Sequence, residues 1–587
     1  MNHKIRKVVL VTFISILFCS IFNLSDAQAQ VQLKEGSQVI KTYIQDPPNV
    51  MPRFYEGRNH QGVQRRIYPY PYDDGQTTKT ENVDYPMIFL ENEYILLKIT
   101  PEQGGRIYGA YDKTNGYEWF YENRVVKPSM IGMLGNWRSG GNAWGYPHHH
   151  GPHTVENMDY EIENHADGSK TVWINHTERL MRVNALVGYT IYPNSSIVEM
   201  TINPRNRTAI ENSFLFWANP SVYCDSAYQV IFPPSVQYVT HHGKREMTAW
   251  PIADSRYGGY NFTGMDISWW MNTRVASSFF SWDPREDYFG GYDYNQKAGT
   301  VWIGNHYTMP GMKYWADGNN ASGYRTNEGL TDDHRRYIEI MAGFYTDNQP
   351  DYSWLEPYET KFGKMVWFPV RELDGLKYAN RNGAMNYEIK GSDIEVRLNT
   401  TSPHKTAKFV LKSKGTAIKT ENISISPSEP RKITAKLPAG TKETDLDFAL
   451  YDASNELLLG YVPVEYPKKD KPAGLGSFPR PEDIKTVEEL YLTGLRINQF
   501  HSIMDPMPYY YEALKRDPNN ADVNTQLGIL AIKDQNWVQA EKYLRTAVTR
   551  VKTYYTRPKN CESLYYLGIV LRELGQIDEA YDWLYQS

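Results

Sequence analysis

Hydrophobic and polar residues alternate in short runs over most of the first two thirds of the chain. In residues 196–203, for example, the apolar side chains of Val198, Met200 and Ile202 alternate with polar ones, which is typical of a strand with one buried face. Such runs, separated by Gly, Pro, Asn and Asp, continue with almost no helical periodicity. They predict a large all-β sandwich over residues 83–370.

The segments on either side of this sandwich have their own patterns. Residues 30–82 contain one predicted strand and are interpreted as an N-terminal extension that packs on the sandwich. Residues 371–467 hold further strand-like runs, from DIEVRLNTT to LLLGYVPVEY, and predict an immunoglobulin-like β domain. Residues 468–481 are rich in Pro, Gly and Lys, which predicts a linker.

Residues 482–587 change to a helical pattern in which small residues recur. Gly494 and Gly528 are 34 residues apart, the tetratricopeptide period, and Gly568 belongs to a third unit. Small residues at these positions let paired helices cross closely. The third unit stops at Ser587 inside its second helix, so we expect a longer protein or a docked partner, because solenoid ends need protection.

The first 29 residues predict export. They combine a basic start, an apolar run over residues 8–22 and the small-x-small sequence AQA at 27–29, the signature of a secretory signal peptide. We therefore expect a periplasmic or extracellular protein with no integral membrane segment after cleavage. Only Cys224 and Cys561 would remain, so no disulfide framework is expected, and a net charge of -5 gives no reason to expect nucleic acid as a partner.

A Gly-rich stretch at 132–154 carries four of the 14 histidines within six residues. Imidazole moves protons near neutral pH or ligates metals. Adjacent histidines on an extended chain point to opposite faces, so only alternate members such as His148 and His150 converge, and no Asp, Glu or Cys stands at ligand spacing. We predict no metal and no cofactor, and leave open sugar contact, proton transfer or plain loop histidines.

Four stretches of the β region resemble the galactose mutarotase-like supersandwich. They are YILLKITPEQGGRIYGAYDKTNGYEWFY (94–121), SGGNAWGYPHHHGPHTVENMDY (139–160), SSIVEMTINPRNRTAIENSFLFWANPSVY (195–223) and YIEIMAGFYTDNQPDYSWLEPYET (337–360). The chain looks most like an uncharacterised secreted family, a domain of unknown function, in which this sandwich precedes tetratricopeptide repeats. The fold serves aldose epimerases, glycan-cleaving hydrolases and lyases, and sugar-binding modules, so function must come from the site.

The resemblance also bears on individual residues. It aligns His149 and His150 with the family pattern, which implies a catalytic role for them at the rim of a sugar site. Two departures stand against simple mutarotation. The family's Glu is absent after the paired glycines 140–141, and the strand at 214–220 lacks the catalytic His of mutarotases.

Glu339 is the strongest candidate for a catalytic carboxylate. In YIEIMA (337–342) the residues at 338, 340 and 342 form an apolar face, which leaves Glu339 on the other face beside Tyr337. A carboxylate next to an aromatic ring on the open face of a sheet can act as acid or base; an ordinary solvated Glu is the alternative. Asp332 or Asp333 could supply the second carboxyl that glycosidic cleavage usually needs, or form a polar turn.

Further candidates complete the predicted site. His241 and His242 form a pair at an apparent strand end, and one of them could face the same cleft; His241 is the predicted catalytic member. Aromatic and polar side chains near Gly, Asn or Asp suit stacking and hydrogen bonding to sugars. The predicted substrate-binding residues are Trp137, Trp144, Tyr146, His153, Trp217, Asn219, Trp250 and Trp315.

The sequence thus predicts an exported carbohydrate-active protein. Its supersandwich would bind a poly- or oligosaccharide and, in the leading hypothesis, cleave it by acid/base glycoside hydrolysis. A non-catalytic carbohydrate-binding protein, whose repeats scaffold protein partners, is the first alternative. An aldose epimerase-like isomerase is the second.

Overall fold

The predicted fold class, a mainly β multidomain protein with a helical end, is confirmed by the computed structural model. The structure describes residues 30–47, 70, 75–131, 136–148, 150–348, 351–499 and 505–587. The predicted signal peptide, residues 1–29, lies outside the described residues. Strands occupy the described chain up to Tyr461, apart from one helix and short 3-10 turns, and helices follow from Val487.

The strands of the first sandwich are numbered in chain order. They are β1 (Gln32–Gln45), β2 (Gln76–Glu91), β3 (Ile95–Thr100), β4 (Arg106–Asp112), β5 (Glu118–Phe120), β6 (Val125–Val126), β7 (Ser129–Met130), β8 (Asn136–Trp137), β9 (Asn142–Gly145), β10 (Asp159–Asn164), β11 (Lys170–Thr177), β12 (Val183–Ile191), β13 (Val198–Asn206), β14 (Asn212–Phe214), β15 (Phe216–Cys224), β16 (Tyr228–Ile231), β17 (Tyr238–Thr240), β18 (Met247–Ala249), β19 (Arg256–Tyr257), β20 (Tyr260–Asn261), β21 (Ser277–Ser281), β22 (Tyr288–Asp293), β23 (Ala298–Ile303), β24 (Gly311–Ala316), β25 (Arg336–Phe344), β26 (Ser353–Leu355) and β27 (Gly363–Arg371).

The remaining elements follow the same order. The second β domain contains β28 (Tyr378–Asn380), β29 (Gly383–Lys390), β30 (Asp393–Thr400), β31 (His404–Ser413), β32 (Thr416–Ile425), β33 (Arg431–Lys436), β34 (Leu446–Tyr451) and β35 (Leu457–Tyr461). The α-helices are α1 (Ala321–Leu330), α2 (Val487–Gln499), α3 (Met507–Arg516), α4 (Ala521–Lys533), α5 (Trp537–Lys552), α6 (Glu562–Glu573) and α7 (Ile577–Gln586).

Two large sheets form the first sandwich. One has 13 strands in the order β18-β17-β21-β24-β25-β15-β9-β4-β3-β2-β1-β6, with β5 beside β4, and the other has eight in the order β10-β11-β12-β13-β27-β23-β22-β16. Alternate residues of both sheets enter one buried cluster, including Ile338 and Ile340 from β25 and Val187 and Tyr189 from β12. The core therefore lies between the sheets, and each sheet keeps one face outside it.

The second β domain is a smaller sandwich. Its two four-stranded sheets have the orders β28-β29-β30-β33 and β32-β31-β34-β35. Val396 from one sheet and Phe409, Leu411 and Phe448 from the other belong to a common buried cluster. The alternating runs between residues 371 and 467 thus form a core of their own.

The helical segment shows the close helix crossings that the repeat predicts. A Cβ atom built on Gly494, Gly528 or Gly568 would lie 2.7, 2.5 or 2.6 Å from the nearest side-chain atom of the paired helix. No larger residue fits there without moving that neighbour, which explains the recurrence of glycine. Among the described residues, no helix is long and apolar enough to cross a membrane.

The last repeat packs directly on the first sandwich. Ile210 joins the buried cluster of α4 to α7, and the Tyr565 hydroxyl donates to the Ala209 carbonyl at 3.0 Å. Lys533 lies 3.5 Å from the Glu211 carboxylate. Burial raises the pKa of Glu562 to about 7, and the negative charge of Glu211 is the next cause. This junction therefore has more acidic groups than its one nearby lysine balances.

Replacing Glu562 with Gln should stabilise this junction above pH 7. A carboxyl whose pKa is raised by folding binds its proton more tightly in the folded state, so its unfavourable effect grows as pH rises from 4.5 to about 7. Removing the charge should add about 1 to 2 kcal/mol at pH 8, after allowance for solvent screening. Thermal unfolding at pH 5 and pH 8 measures the difference.

The matched control is Glu488→Gln. Glu488 also lies in the first turn of a repeat helix, α2, but its side chain is exposed. Equal effects of the two substitutions would show that the helix terminus, and not the crowded junction, is responsible.

Candidate functional site

The candidate site lies on the face of the 13-stranded sheet that points away from the sandwich core. We call this surface the site face and define it by Asn219, Lys313, Trp315 and Glu339. Since directly opposed residues of antiparallel strands share a face, the register identifies its rows. Ser278 pairs with Trp315, Trp315 with Glu339, and Glu339 with Ser221. One row thus crosses β21, β24, β25 and β15 with Glu339 near its centre.

Lys313 is the diagonal neighbour of Glu339 on the site face. It pairs with Phe280 on one side and Met341 on the other, so the Lys and Glu side chains stand in adjacent rows. The exposed fraction is 3% for Lys313 and 5% for Glu339. In the described part of the chain, no hydrogen bond or ion pair within 4.0 Å engages either charged group.

Burial sets the electrostatics of this pair. It raises the pKa of Glu339, and the positive charge of Lys313 partly offsets that rise. Burial likewise lowers the pKa of Lys313, while Glu339 acts in the opposite direction. Each group therefore helps to keep the other charged, and both can change protonation state more easily than exposed side chains.

Asp317 and Arg336 lie beside the pair, at the end of the same strands. Arg336 donates to Asp317 at 2.5 Å, and the Asp317 charge raises the pKa of Glu339 further. Burial raises the pKa of Asp317 to about 6, although Arg336 counteracts it. Asp317 is thus the second carboxyl that influences Glu339, and it is held by an arginine.

Three buried polar atoms of residues on the site face have no partner among the described residues. In the described chain, no atom accepts from the indole N–H of Trp137 or Trp217, and none donates to Oδ1 of Asn219. Buried polar atoms are normally hydrogen-bonded, to protein or to water. These two donors and one acceptor are buried, so a polar molecule could reach them only if neighbouring side chains moved.

Aromatic clusters flank the carboxylate on both sides. Trp217, Phe280 and Met341 belong to one, and Trp137 and Tyr337 to the other. Trp315 packs against both clusters. Leu330, the last residue of α1, joins the second cluster, so this helix covers part of the site face.

The structure brings five of the predicted site residues to this face. They are Glu339, Trp137, Trp217, Asn219 and Trp315.

The His-rich stretch contributes less than its composition indicates. The ring of His150, a half-buried residue with φ 46°, lies 5.2 Å from the Trp137 ring, so it reaches the edge of the site face. His149 lies outside the described residues. His148 is buried against Tyr352, and burial lowers its pKa to about 4.

Four predicted substrate-binding residues lie in the sandwich core instead: Trp144, Tyr146, His153 and Trp250. Trp144 pairs with Ala218, which faces the core. The His153 ring stacks on Trp144 at 4.2 Å and its Nε2 lies 2.6 Å from the Trp144 carbonyl oxygen. Burial lowers the pKa of His153 to about 4, so it is a neutral core histidine at pH 7.

The pair His241 and His242 divides between two environments. His241, the predicted catalytic member, packs its ring 5.5 Å from Tyr257. His242 instead places Nε2 2.9 Å from the Ser278 hydroxyl, which belongs to the Glu339 row. His242 thus contacts the site face through Ser278, whereas the pKa of His241 is lowered by burial and also by the positive charge of Lys313.

The predicted sources of a second carboxyl are occupied elsewhere. Asp332 forms ion pairs with Lys41 at 2.6 Å and with Lys127 at 3.0 Å. Asp333 binds Arg335 at 2.6 Å. Among the described residues, no three His, Cys, Asp or Glu side chains converge so as to hold a metal ion.

Sequence reasoning missed Lys313, and from the pair His241 and His242 it selected His241 as the catalytic member. A signal for Lys313 was present, because in GMKYWA (311–316) it alternates with apolar residues in a run that is otherwise typical of a buried strand. Lysine is seldom fully buried without a partner charge. The oppositely charged neighbour of Lys313 is Glu339. It lies on the adjacent strand β25, and only the sheet register shows that the two residues are close.

Several proteins of solved structure are similar to this chain. A TPR-domain containing protein from Parabacteroides distasonis ATCC 8503 is 16% identical, with 94% of this chain and 79% of that chain covered and a TM-score of 0.51, which shows a shared fold. A galactose mutarotase related enzyme from Lactobacillus acidophilus (14% identity, 50% and 100% covered, TM-score 0.34) and a galactose mutarotase-like protein from Clostridium acetobutylicum (12%, 49% and 96%, 0.32) are also similar.

Two family models match the chain. Residues 378–461 match the second domain of YphG-like proteins. Residues 63–371 match the domain of unknown function DUF5107. This agrees with the prediction that the sandwich belongs to a family with a domain of unknown function. Since that match covers more than half of the 587 residues, the chain belongs to the DUF5107 family.

Proposed function

We propose that the site face binds the end of a carbohydrate chain and that Glu339 transfers a proton to or from it. One observation carries the proposal. The Glu339 carboxylate is almost fully buried, has no hydrogen bond or ion pair within the described part of the chain, and lies beside Trp315 and Lys313. A buried carboxylate with a raised pKa and no structural partner is suited to acid/base chemistry.

The surroundings of Glu339 favour a sugar as the ligand. A pyranose has an apolar C–H face, which stacks on aromatic rings, and a rim of hydroxyls, which need donors and acceptors. Trp315 supplies a half-buried ring, and the buried polar atoms of Trp137, Trp217 and Asn219, which have no partners in the described chain, would contact the sugar once the side chains over them move aside. With 5% of its surface exposed, Glu339 can meet only a small group, which favours a chain end over an internal sugar.

Glycoside hydrolysis is the reaction that these groups support best. Protonated Glu339 would donate its proton to the glycosidic oxygen as the C–O bond breaks, and a water molecule would add to the anomeric carbon after losing a proton to a base. Asp317 is a candidate for this base, because its charge acts on the pKa of Glu339. Its ion pair with Arg336 favours the alternative of sugar capture without cleavage.

The proposal includes export and protein partners. Export rests on the predicted signal peptide, so that the glycan would be met in the periplasm or outside the cell. The tetratricopeptide repeats, which pack on the sandwich beside Ile210, would bind a partner protein.

Incubating the full chain with a panel of oligo- and polysaccharides tests the proposal. We expect sugars to be released, and Glu339→Gln to lower the rate by about 100-fold or more while binding measured by calorimetry changes little. Glu328→Gln is the control, because Glu328 is an exposed carboxylate on α1, the helix that partly covers the site face.

Each other outcome has a distinct meaning. Binding without release would favour the non-catalytic alternative. Interconversion of free sugars, followed by NMR, would favour the epimerase. Failure of every sugar to bind would overturn the proposal.

A further inference from the structure

A groove of about 740 Å³ lies on the outer side of the eight-stranded sheet, and none of its lining residues belongs to the site face. Strands β10, β11 and β12 form it, and its lining includes Asp159, Glu161, Glu163, Trp173, Asn175 and Leu186. The three strands pair in the order β10-β11-β12, with β10 at the edge of the sheet. The groove thus opens beside an edge strand and has one large aromatic ring.

Trp173 is held flat against the sheet. It pairs with Gly188 on β12, and a Cβ atom built on Gly188 would lie 2.6 to 3.0 Å from three carbons of the six-membered ring. These nearly equal distances place a face of the indole over the glycine backbone, an approach that any larger residue would prevent. The other face of the half-buried ring borders the groove.

A hydrogen bond fixes the rotation of this ring. The Trp173 indole N–H donates to the Glu163 carboxylate at 2.7 Å. The platform is therefore positioned before any ligand arrives, which lowers the entropy cost of binding. The bond uses one oxygen of Glu163 and leaves its negative charge in place, with the other oxygen 3.6 Å from Nδ1 of His165.

Hydrogen-bonding groups stand around the platform. Glu161 is the cross-strand partner of Trp173, and Asp159 is the partner of Asn175 in the next row. All three flanking side chains are exposed. Carboxylate and amide oxygens at the rim of a flat ring can accept bonds from sugar hydroxyls while the ring contacts the C–H face.

We propose that the groove around Trp173 is a second carbohydrate-binding site, in which a pyranose of a neutral oligo- or polysaccharide stacks on the free face of the indole. The proposal does not rest on catalysis or binding at Glu339. A site of this kind would hold a polymer on the surface while the site face engages a chain end.

Retention in gels that contain a neutral polysaccharide, such as xylan, glucan or mannan, tests this site. The measurement uses the full chain carrying Glu339→Gln, so that cleavage does not consume the polymer. We expect at least one of these polymers to retard the protein, and Trp173→Ala to weaken the association tenfold or more. The combined Asp159→Asn and Glu161→Gln substitution should weaken it about fivefold with the platform intact.

Tyr307→Ala is the matched control, because Tyr307 is 82% exposed on the same sandwich and lies outside the groove lining. It should keep full retention, and circular dichroism should show that every variant is folded. Equal retention of the Trp173→Ala and parent proteins would overturn the proposal, whatever the outcome at Glu339. So would binding of a lysine-rich peptide at Trp173 without binding of any polysaccharide.

Discussion

Replacing Gly141 with alanine should cost the first sandwich about 3 to 5 kcal/mol of unfolding free energy. A Cβ atom there would lie 2.0 Å from the carbonyl oxygen of Ile107, and the residue has φ +66°. Alanine would meet both a steric conflict with backbone and the cost of a left-handed conformation. Urea unfolding followed by tryptophan fluorescence measures the loss.

Gly116→Ala separates these two causes. Gly116 has φ +77°, but a Cβ atom built on it would meet nothing within 4 Å. It should therefore cost only the conformational part, about 1 to 2 kcal/mol. Equal losses for the two variants would show that the close approach of Gly141 to β4 is not what requires glycine.

The same glycine connects the fold to the candidate site. The Gly141 N–H donates to the Tyr121 carbonyl at 2.7 Å, and its own carbonyl accepts from the Ser221 N–H at 2.7 Å. Ser221 stands opposite Glu339 in the central row. The glycine pair therefore has a structural role even without a following Glu. It lets β9 approach β4 closely, and Gly141 also binds β15, which contributes Ser221 to the row that contains Glu339.

Alternation along single strands predicted part of this site. It placed Glu339 on the face of β25 that points away from Ile338 and Ile340, and in the structure these two isoleucines are indeed in the core. Alternation in GNAWGY (141–146) puts Trp144 and Tyr146 on one side and small residues on the other, but it does not say whether the two rings enter the core or line a ligand site. In the structure Trp144 takes the core position, and Ala143 lies beside Asn219.

Pairing between distant strands was beyond the sequence. Lys313 and Glu339 lie on different strands, separated by α1, and only the register of β24 with β25 brings them together. The choice between His241 and His242 depends likewise on a short 3-10 turn after β17. The repeats were predictable, since a glycine that recurs after 34 and then 40 residues reflects the same contact within successive helix pairs.

Removing the ammonium group of Lys313 should have the second large effect. Lys313→Met keeps the length and apolar stem of the side chain but leaves the Glu339 carboxylate buried without a nearby lysine. Because the two groups interact through their charges without a direct ion pair, and removal of the ammonium also relieves its own burial cost, we expect a loss of about 2 to 3 kcal/mol at pH 8. Chemical unfolding at pH 8 and at pH 5 measures it.

The pH dependence identifies the cause. Burial already raises the pKa of Glu339, and loss of Lys313 removes the interaction that lowers it. A carboxyl whose pKa is higher in the folded state than in the unfolded state binds its proton more tightly when the protein is folded. The Lys313→Met variant should therefore regain stability as the pH falls towards 5. Adding Glu339→Gln should restore most of the loss at pH 8, because no buried charge then remains at either position.

Lys98→Met is the control for this cycle. Lys98 lies 2.8 Å from Glu122 on the same sheet, but Glu122 also accepts hydrogen bonds from Tyr111 and Gln38. Its carboxylate keeps these donors when Lys98 is removed, so we expect a loss of only about 1 to 2 kcal/mol. If Lys313→Met instead cost the same at pH 5 as at pH 8, Lys313 would be a packing residue, and the charge assigned to Glu339 at pH 8 would be wrong.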